Sequence, residues 1–178
     1  MKQTRYLCIQ GKYAPKFHLK NECSQNFRSL IESVTLSSAL VISSRYKSDI
    51  IYCAAEDRTV ELIKMWSTYL GISFEGSLPE KFTKANGESD LLEFYFVKLA
   101  HLSMHRNWYR EYCTLFGDLC NKEPNHKLLA PIIACDKYLK EISGGNGGLP
   151  EMPVSQIKYS IRGFNLLAEK TRKNLSSN

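Results

Sequence analysis

Residues 39–70 constrain the fold more than any other stretch of this chain. They read ALVISSRY, a polar KSD, IIYCAA and then EDRTVELIKMWSTYL. Two β-rich runs on either side of a turn lead directly into an amphipathic helix. In the first run Leu40 and Ile42 share one face, and Val41, Ser43 and Arg45 the other. In the second, Ile51 and Cys53 oppose Ile50 and Tyr52. Successive side chains of a strand point to opposite faces, so this alternation marks a hairpin. The polar residues Tyr46-Lys47-Ser48-Asp49 are expected to form its turn. The period then changes: Val60, Ile63 and Tyr69–Leu70 recur at helical spacing, and Leu62 and Trp66 widen the stripe. Glu56 and Asp57 stand where a helix N-terminus favours negative charge, and Gly71 follows as a stop.

A strand and a helix precede this unit. Thr4–Gln10 alternates and Gly11 closes it; Lys12–Cys23, with Pro15, reads as a loop. Phe27, Leu30, Ile31 and Val34 recur at helical spacing behind Ser24, an expected N-cap. Ile72–Phe74 is a short alternation expected as a fourth strand. The order is then strand, helix, strand, strand, helix, strand, the split βαβ or ferredoxin-like order. Leu7, Ile9, Leu40, Ile42, Ile51 and Cys53 are expected to pack under Phe27, Ile31, Ile63 and Trp66. The other face, with Tyr6, Gln10, Ser43, Arg45 and Tyr52, stays open unless the second half covers it.

The fold class expected is therefore α+β: a ferredoxin-like domain over 1–76, a linker over 77–88 rich in turn formers, and a helical domain over 89–178. Three helices follow Ser89, Asn107 and Asn125, the first apolar nearly all round and so expected at the centre of its layer. Pro131 should kink the third or delay its start. SGGNGG, residues 143–148, is expected as an interhelical loop, and a last helix over 156–173 follows Ser155. SGGNGG follows a helix rather than a strand and lacks a following Lys-Ser/Thr, which separates it from a phosphate-binding loop.

Charge and cysteine usage bound the function. Lysine and arginine number 24 against 18 acidic residues, a formal net charge of +6. That excess favours an anionic partner such as nucleic acid. No apolar run is long enough to span a bilayer, and MKQTRYLCIQGKY lacks the apolar core of a signal peptide. A cytoplasmic protein with reduced thiols is expected. The six cysteines (8, 23, 53, 113, 120 and 135) form no Cys-x-x-Cys pair and mostly sit in apolar segments, as small buried hydrophobes do. No cofactor motif is present.

Three constellations carry chemistry. Tyr6 and Tyr52 fall on the first and third strands, where RNA-recognition domains carry base-stacking aromatics, with Arg45 beside them. YLCIQG is similar to the first signature strand of those domains; DIIYCAA lacks the Lys/Arg-Gly-aromatic start of the second. Tyr6, Gln10, Ser43, Arg45 and Tyr52 are thus the expected nucleic-acid surface. His101 and His105, four apart on a helix, have zinc-ligand spacing, with Cys113 and Cys120 on the next helix. The Glu of a metalloprotease motif is missing, and core or helix-end histidines are the alternative. Cys23 stands at a helix start, where the dipole favours a thiolate nucleophile. Glu22-Cys23-Ser24 is similar to the Asp-Cys-Ser-Gly start of some papain-like peptidases, without the Gly.

The expected function is a non-enzymatic accessory or regulatory factor that binds nucleic acid or a ribonucleoprotein. A protein-binding adaptor or inhibitor is the second reading, and a cysteine- or metal-dependent hydrolase the third.

Overall fold

A computed structural model describes residues 2–142. The expected loop at 143–148 and helix at 156–173 lie outside the described residues. The architecture is mixed α/β. Four strands form one antiparallel sheet: β1 (Gln3–Gln10), β2 (Ala39–Ser43), β3 (Lys47–Ala54) and β4 (Thr83–Asn86), in the order β2-β3-β1-β4. Five α-helices pack around it: α1 (Asn21–Thr35), α2 (Thr59–Tyr69), α3 (Glu88–Ser103), α4 (Arg106–Lys122) and α5 (Leu129–Ile142). Two 3-10 segments, Gly11–Phe17 and Leu78–Lys81, complete the described elements.

Several boundaries differ from expectation for local reasons. The fourth strand is Thr83–Asn86, inside the stretch expected as a linker, and Ile72–Phe74 is not a strand. Only four residues of β4 pair with β1, and of these only Ala85 is buried, so no alternation announces it. The hairpin turn is Ser44–Tyr46; Lys47, Ser48 and Asp49 belong to β3 and are buried. The Ser44 hydroxyl donates to Lys47 O at 3.0 Å and accepts from Lys47 N at 3.2 Å, closing the turn early. Helix α1 starts one turn before Ser24, whose hydroxyl donates back to Leu19 O. Helix α5 begins at Leu129, which leaves Pro131 in its first turn, where a missing N–H costs nothing.

Register assigns the faces. Tyr6 stands opposite Ile51, and Ile51 opposite Leu40, while Leu7 stands opposite Ile50 and Ile50 opposite Val41. Leu7, Ile9, Val41, Ile50 and Tyr52 therefore share a face and pack with Phe27, Ile31, Ile63 and Trp66. Tyr6, Cys8, Leu40, Ile42 and Ile51 share the other and pack with α3, α4 and α5. The expected single apolar face was a mixture of the two. No face is open: β3 is buried along almost its whole length because helices cover it from both sides. At the β2 edge, Arg28 of α1 pairs with Glu123 of α4. That pair ties the two helix layers together beside an edge strand, a position proteins commonly cover.

Candidate functional site

The expected sheet-face site does not assemble. Tyr6 and Tyr52 are 1% and 0% exposed and point to opposite faces. The Tyr6 hydroxyl donates to Asp49 Oδ1 at 2.7 Å, and the Tyr52 hydroxyl lies 3.2 Å from Thr59 Oγ1. Ser43 turns under the α1 layer, accepting from Leu19 N at 2.8 Å and lying 2.7 Å from the Ser48 hydroxyl. None of these three can meet a base. Arg45 is exposed in the hairpin turn, its backbone N–H donating to Glu111 Oε1 at 3.1 Å. Gln10 is half-buried and donates from Nε2 to Lys98 O at 3.2 Å.

Sequence reasoning missed a buried charge cluster beneath the helices. The ammonium of Lys47 pairs with Asp49 Oδ2, both side chains being fully buried. The Tyr112 hydroxyl donates to the same oxygen at 2.6 Å and lies 3.0 Å from the Tyr95 hydroxyl. The Lys47 ammonium also sits 4.6 Å and 4.5 Å from the ring centroids of Tyr95 and Tyr112. Burial and then the Asp49 charge hold the Tyr6, Tyr95 and Tyr112 hydroxyls protonated well above the usual tyrosine range. The same two causes push the Cys8 thiol up to about 12. With Lys47 and Asp49 paired and Asp49 accepting from two tyrosine hydroxyls, the cluster is a structural pin between sheet and helices.

That pin fixes a surface site immediately beside it. Tyr46 precedes Lys47 in the chain, and Trp108 lies one turn before Tyr112 on the same face of α4. The rings of Tyr46 and Trp108 stack at 4.2 Å with 12° between planes, and His105 lies 4.1 Å from Trp108. These rings border an open pocket of about 300 Å³ lined also by Gln10, Gly11, Lys98 and His101. Lys98 and His101 sit three apart near the end of α3, and His105 caps the start of α4. The pocket lining contains no carboxylate, and the first turn of α4 carries none either. Burial, and then the Lys98 charge, hold His101 below the usual histidine range. A lysine ammonium, two imidazoles, an amide and an aromatic stack form a surface suited to an anion that carries a flat ring.

His101 and His105, the pair with zinc-ligand spacing, thus share a pocket, but its remaining donors do not suit a metal. Cys113 is not among the pocket residues; it neighbours Tyr109, Asp136 and Lys140 at the α4–α5 interface. Among the described residues, no group of three His, Cys, Asp or Glu could hold a metal ion. Cys23 is exposed and lies inside the first turn of α1 rather than before it. The Tyr69 hydroxyl reaches Cys23 O at 3.5 Å, and among the described residues no general base hydrogen-bonds the thiol.

The signal that could have found the pocket was present: Lys98, His101 and His105 recur at i, i+3 and i+7, followed by Trp108. No helix among the described residues is long and apolar enough to cross a membrane. No family model matches the chain, and no curated protein matches it.

Proposed function

We propose that the protein is a non-enzymatic factor that binds single-stranded nucleic acid, alone or within a ribonucleoprotein, at the pocket beside Tyr46, Trp108 and His105. The observation that carries this reading is a stacked aromatic pair at the mouth of a pocket lined by Lys98, His101 and His105 and free of acid. Aromatic rings take bases on their faces, and cations take the phosphates between them. The net charge of +6 adds long-range attraction for a polyanion. Gln10 and Arg45 keep their expected role, at the pocket and next to it; Tyr6, Ser43 and Tyr52 are replaced by Tyr46 and His105.

The strand order β2-β3-β1-β4, with α1 and α2 on one face, supports a ferredoxin-like N-terminal unit with the later helices as a second layer. In this arrangement the nucleic acid meets the rim where the hairpin turn, α3 and α4 converge, rather than the sheet.

Fluorescence anisotropy with short labelled oligonucleotides at two salt concentrations tests the reading. Tyr46→Ala should weaken binding by about 1–3 kcal/mol with the salt slope unchanged, since a stacked ring displaces no counterions. Lys98→Ala should lower the slope by roughly 0.7, one phosphate on a single strand. Tyr52→Phe should leave affinity intact. Absence of binding at low salt, or a Tyr46→Ala variant equal to the parent, would refute the proposal.

A second reading, a protein-binding adaptor, is favoured by one observation. An open groove of about 450 Å³ between α1 and α2 is lined by Leu30, Met65, Thr68 and Tyr69, with Leu30 41% exposed. Loss of a defined protein partner on Leu30→Glu, with oligonucleotide binding absent, would select it.

A further inference from the structure

The pocket's neighbour on the chain is a second aromatic–basic element. Gly11 lines the pocket, and Tyr13 follows two residues later in the same 3-10 segment. Tyr13 is half-buried, and two lysines approach its ring. Lys12 lies 5.2 Å from the centroid and Lys81, from the other 3-10 segment, 5.8 Å. Residues 11–20, GKYAPKFHLK, hold three lysines and no acid. Glu80, beside Lys81, is the acid adjacent in sequence, and neither lysine forms an ion pair among the described residues. Between the two elements Gly11 holds a φ of +78°, and no atom lies within 4 Å of where its Cβ would stand. The space on that side of the backbone is open.

We infer that the pocket and Tyr13 form one track, so that the ligand is a single strand spanning several nucleotides rather than a mononucleotide or a duplex. This rests on the reading proposed above. A lysine over a partly solvated ring such as that of Tyr13 is held more weakly than a stacked base. A base arriving on Tyr13 therefore displaces the ammoniums of Lys12 and Lys81 from the ring, which frees them for the flanking phosphates. One base stacks at Tyr46 or His105, the backbone crosses Gly11, and a second base stacks on Tyr13. A duplex keeps its bases inside the stack and cannot offer two of them to separated rings.

Anisotropy with labelled homopolymers of increasing length, plus a blunt duplex, tests the track in both RNA and DNA. Affinity should rise with length until both elements are spanned, within about 4–16 nucleotides, and the duplex should bind more weakly than the same strand alone. Tyr13→Ala should weaken the long single strand roughly tenfold while leaving the shortest binding oligonucleotide unaffected. Lys12→Ala with Lys81→Ala should reduce the salt slope by roughly 0.7 per lysine for the long strand only. Circular dichroism of each variant separates these effects from misfolding, and Tyr13→Phe should restore binding. Length-independent affinity with an inert Tyr13→Ala would overturn the track while Tyr46→Ala still reported on the pocket. Preference for duplex would overturn it as well.

Discussion

Replacing Lys47 with methionine isolates the energetics of the buried charge cluster. Methionine keeps most of the volume of the aliphatic stem, so the main loss is the ammonium. In the parent that ammonium is fully buried, pairs with Asp49 and lies within 4.6 Å of two ring centroids. Two unit charges about 4 Å apart attract by about 4 kcal/mol at an effective dielectric of about 20. Breaking one side of a buried pair costs about 3–5 kcal/mol, because the remaining charge stays buried without compensation. Asp49 retains the hydroxyls of Tyr6 and Tyr112, at 2.7 and 2.6 Å, which holds the loss within that range. Asp49→Asn should cost a similar amount by stranding the ammonium. The double variant leaves no stranded charge and should cost no more than either single one, a clear departure from additivity. Urea unfolding of the four proteins at pH 7 completes the cycle. For a chain of this size the single variants should melt about 6–20 °C lower. Single effects under about 1 kcal/mol, or an additive double variant, would refute the claim that this pair is desolvated and pins the helices to the sheet.

Three further outcomes follow from burial and charge. Phe96→Ala or Leu99→Ala, at positions 0% and 1% exposed in α3, should each cost about 2–5 kcal/mol in chemical denaturation through lost transfer energy and a cavity. In thiol labelling at neutral pH followed by mass mapping, exposed Cys23 should react first. Buried Cys8, its thiol pushed up to about 12, should react only on unfolding. In an alkaline absorbance titration Tyr6, Tyr95 and Tyr112 should stay protonated past the usual tyrosine range. Their raised folded values contribute stability that is present below about pH 10 and lost as pH rises above it. Unfolding should then coincide with a late, steep rise in tyrosinate signal.

Periodicity located β1, β2, most of β3 and the described helices, because their apolar residues recur at periods of 2 and 3.6. It could not locate β4, whose four residues carry a single buried side chain. It also misplaced the hairpin turn. Lys47-Ser48-Asp49 has turn composition, yet tertiary packing buries it, since tyrosines from β1, α3 and α4 satisfy the charges. No local signal in β3 could announce Tyr6 and Tyr112, 43 and 63 residues from Asp49. The faces were mixed for a related reason: alternation within a strand fixes which residues share a side, but only register fixes which sides align. Because helices cover both faces, tyrosines placed on an open sheet by pattern alone became core. The histidine pair was legible as zinc-ligand spacing, with core or helix-end histidines as the alternative. Its meaning changed once Trp108 and Tyr46 were found stacked beside it.

The chain contains a built-in probe for its central claim. Of its two tryptophans, Trp66 is 0% exposed in the α1–α2 core and Trp108 stands at the pocket. In a Trp66→Phe background the emission comes from Trp108 alone. Titrating a single-stranded oligonucleotide at low salt should quench that emission to a saturable limit. Raising the salt should shift the midpoint to higher concentration, and Tyr46→Ala should shift it further. Emission unmoved by oligonucleotide at low salt, in a protein that remains folded, would contradict nucleic-acid binding at this pocket.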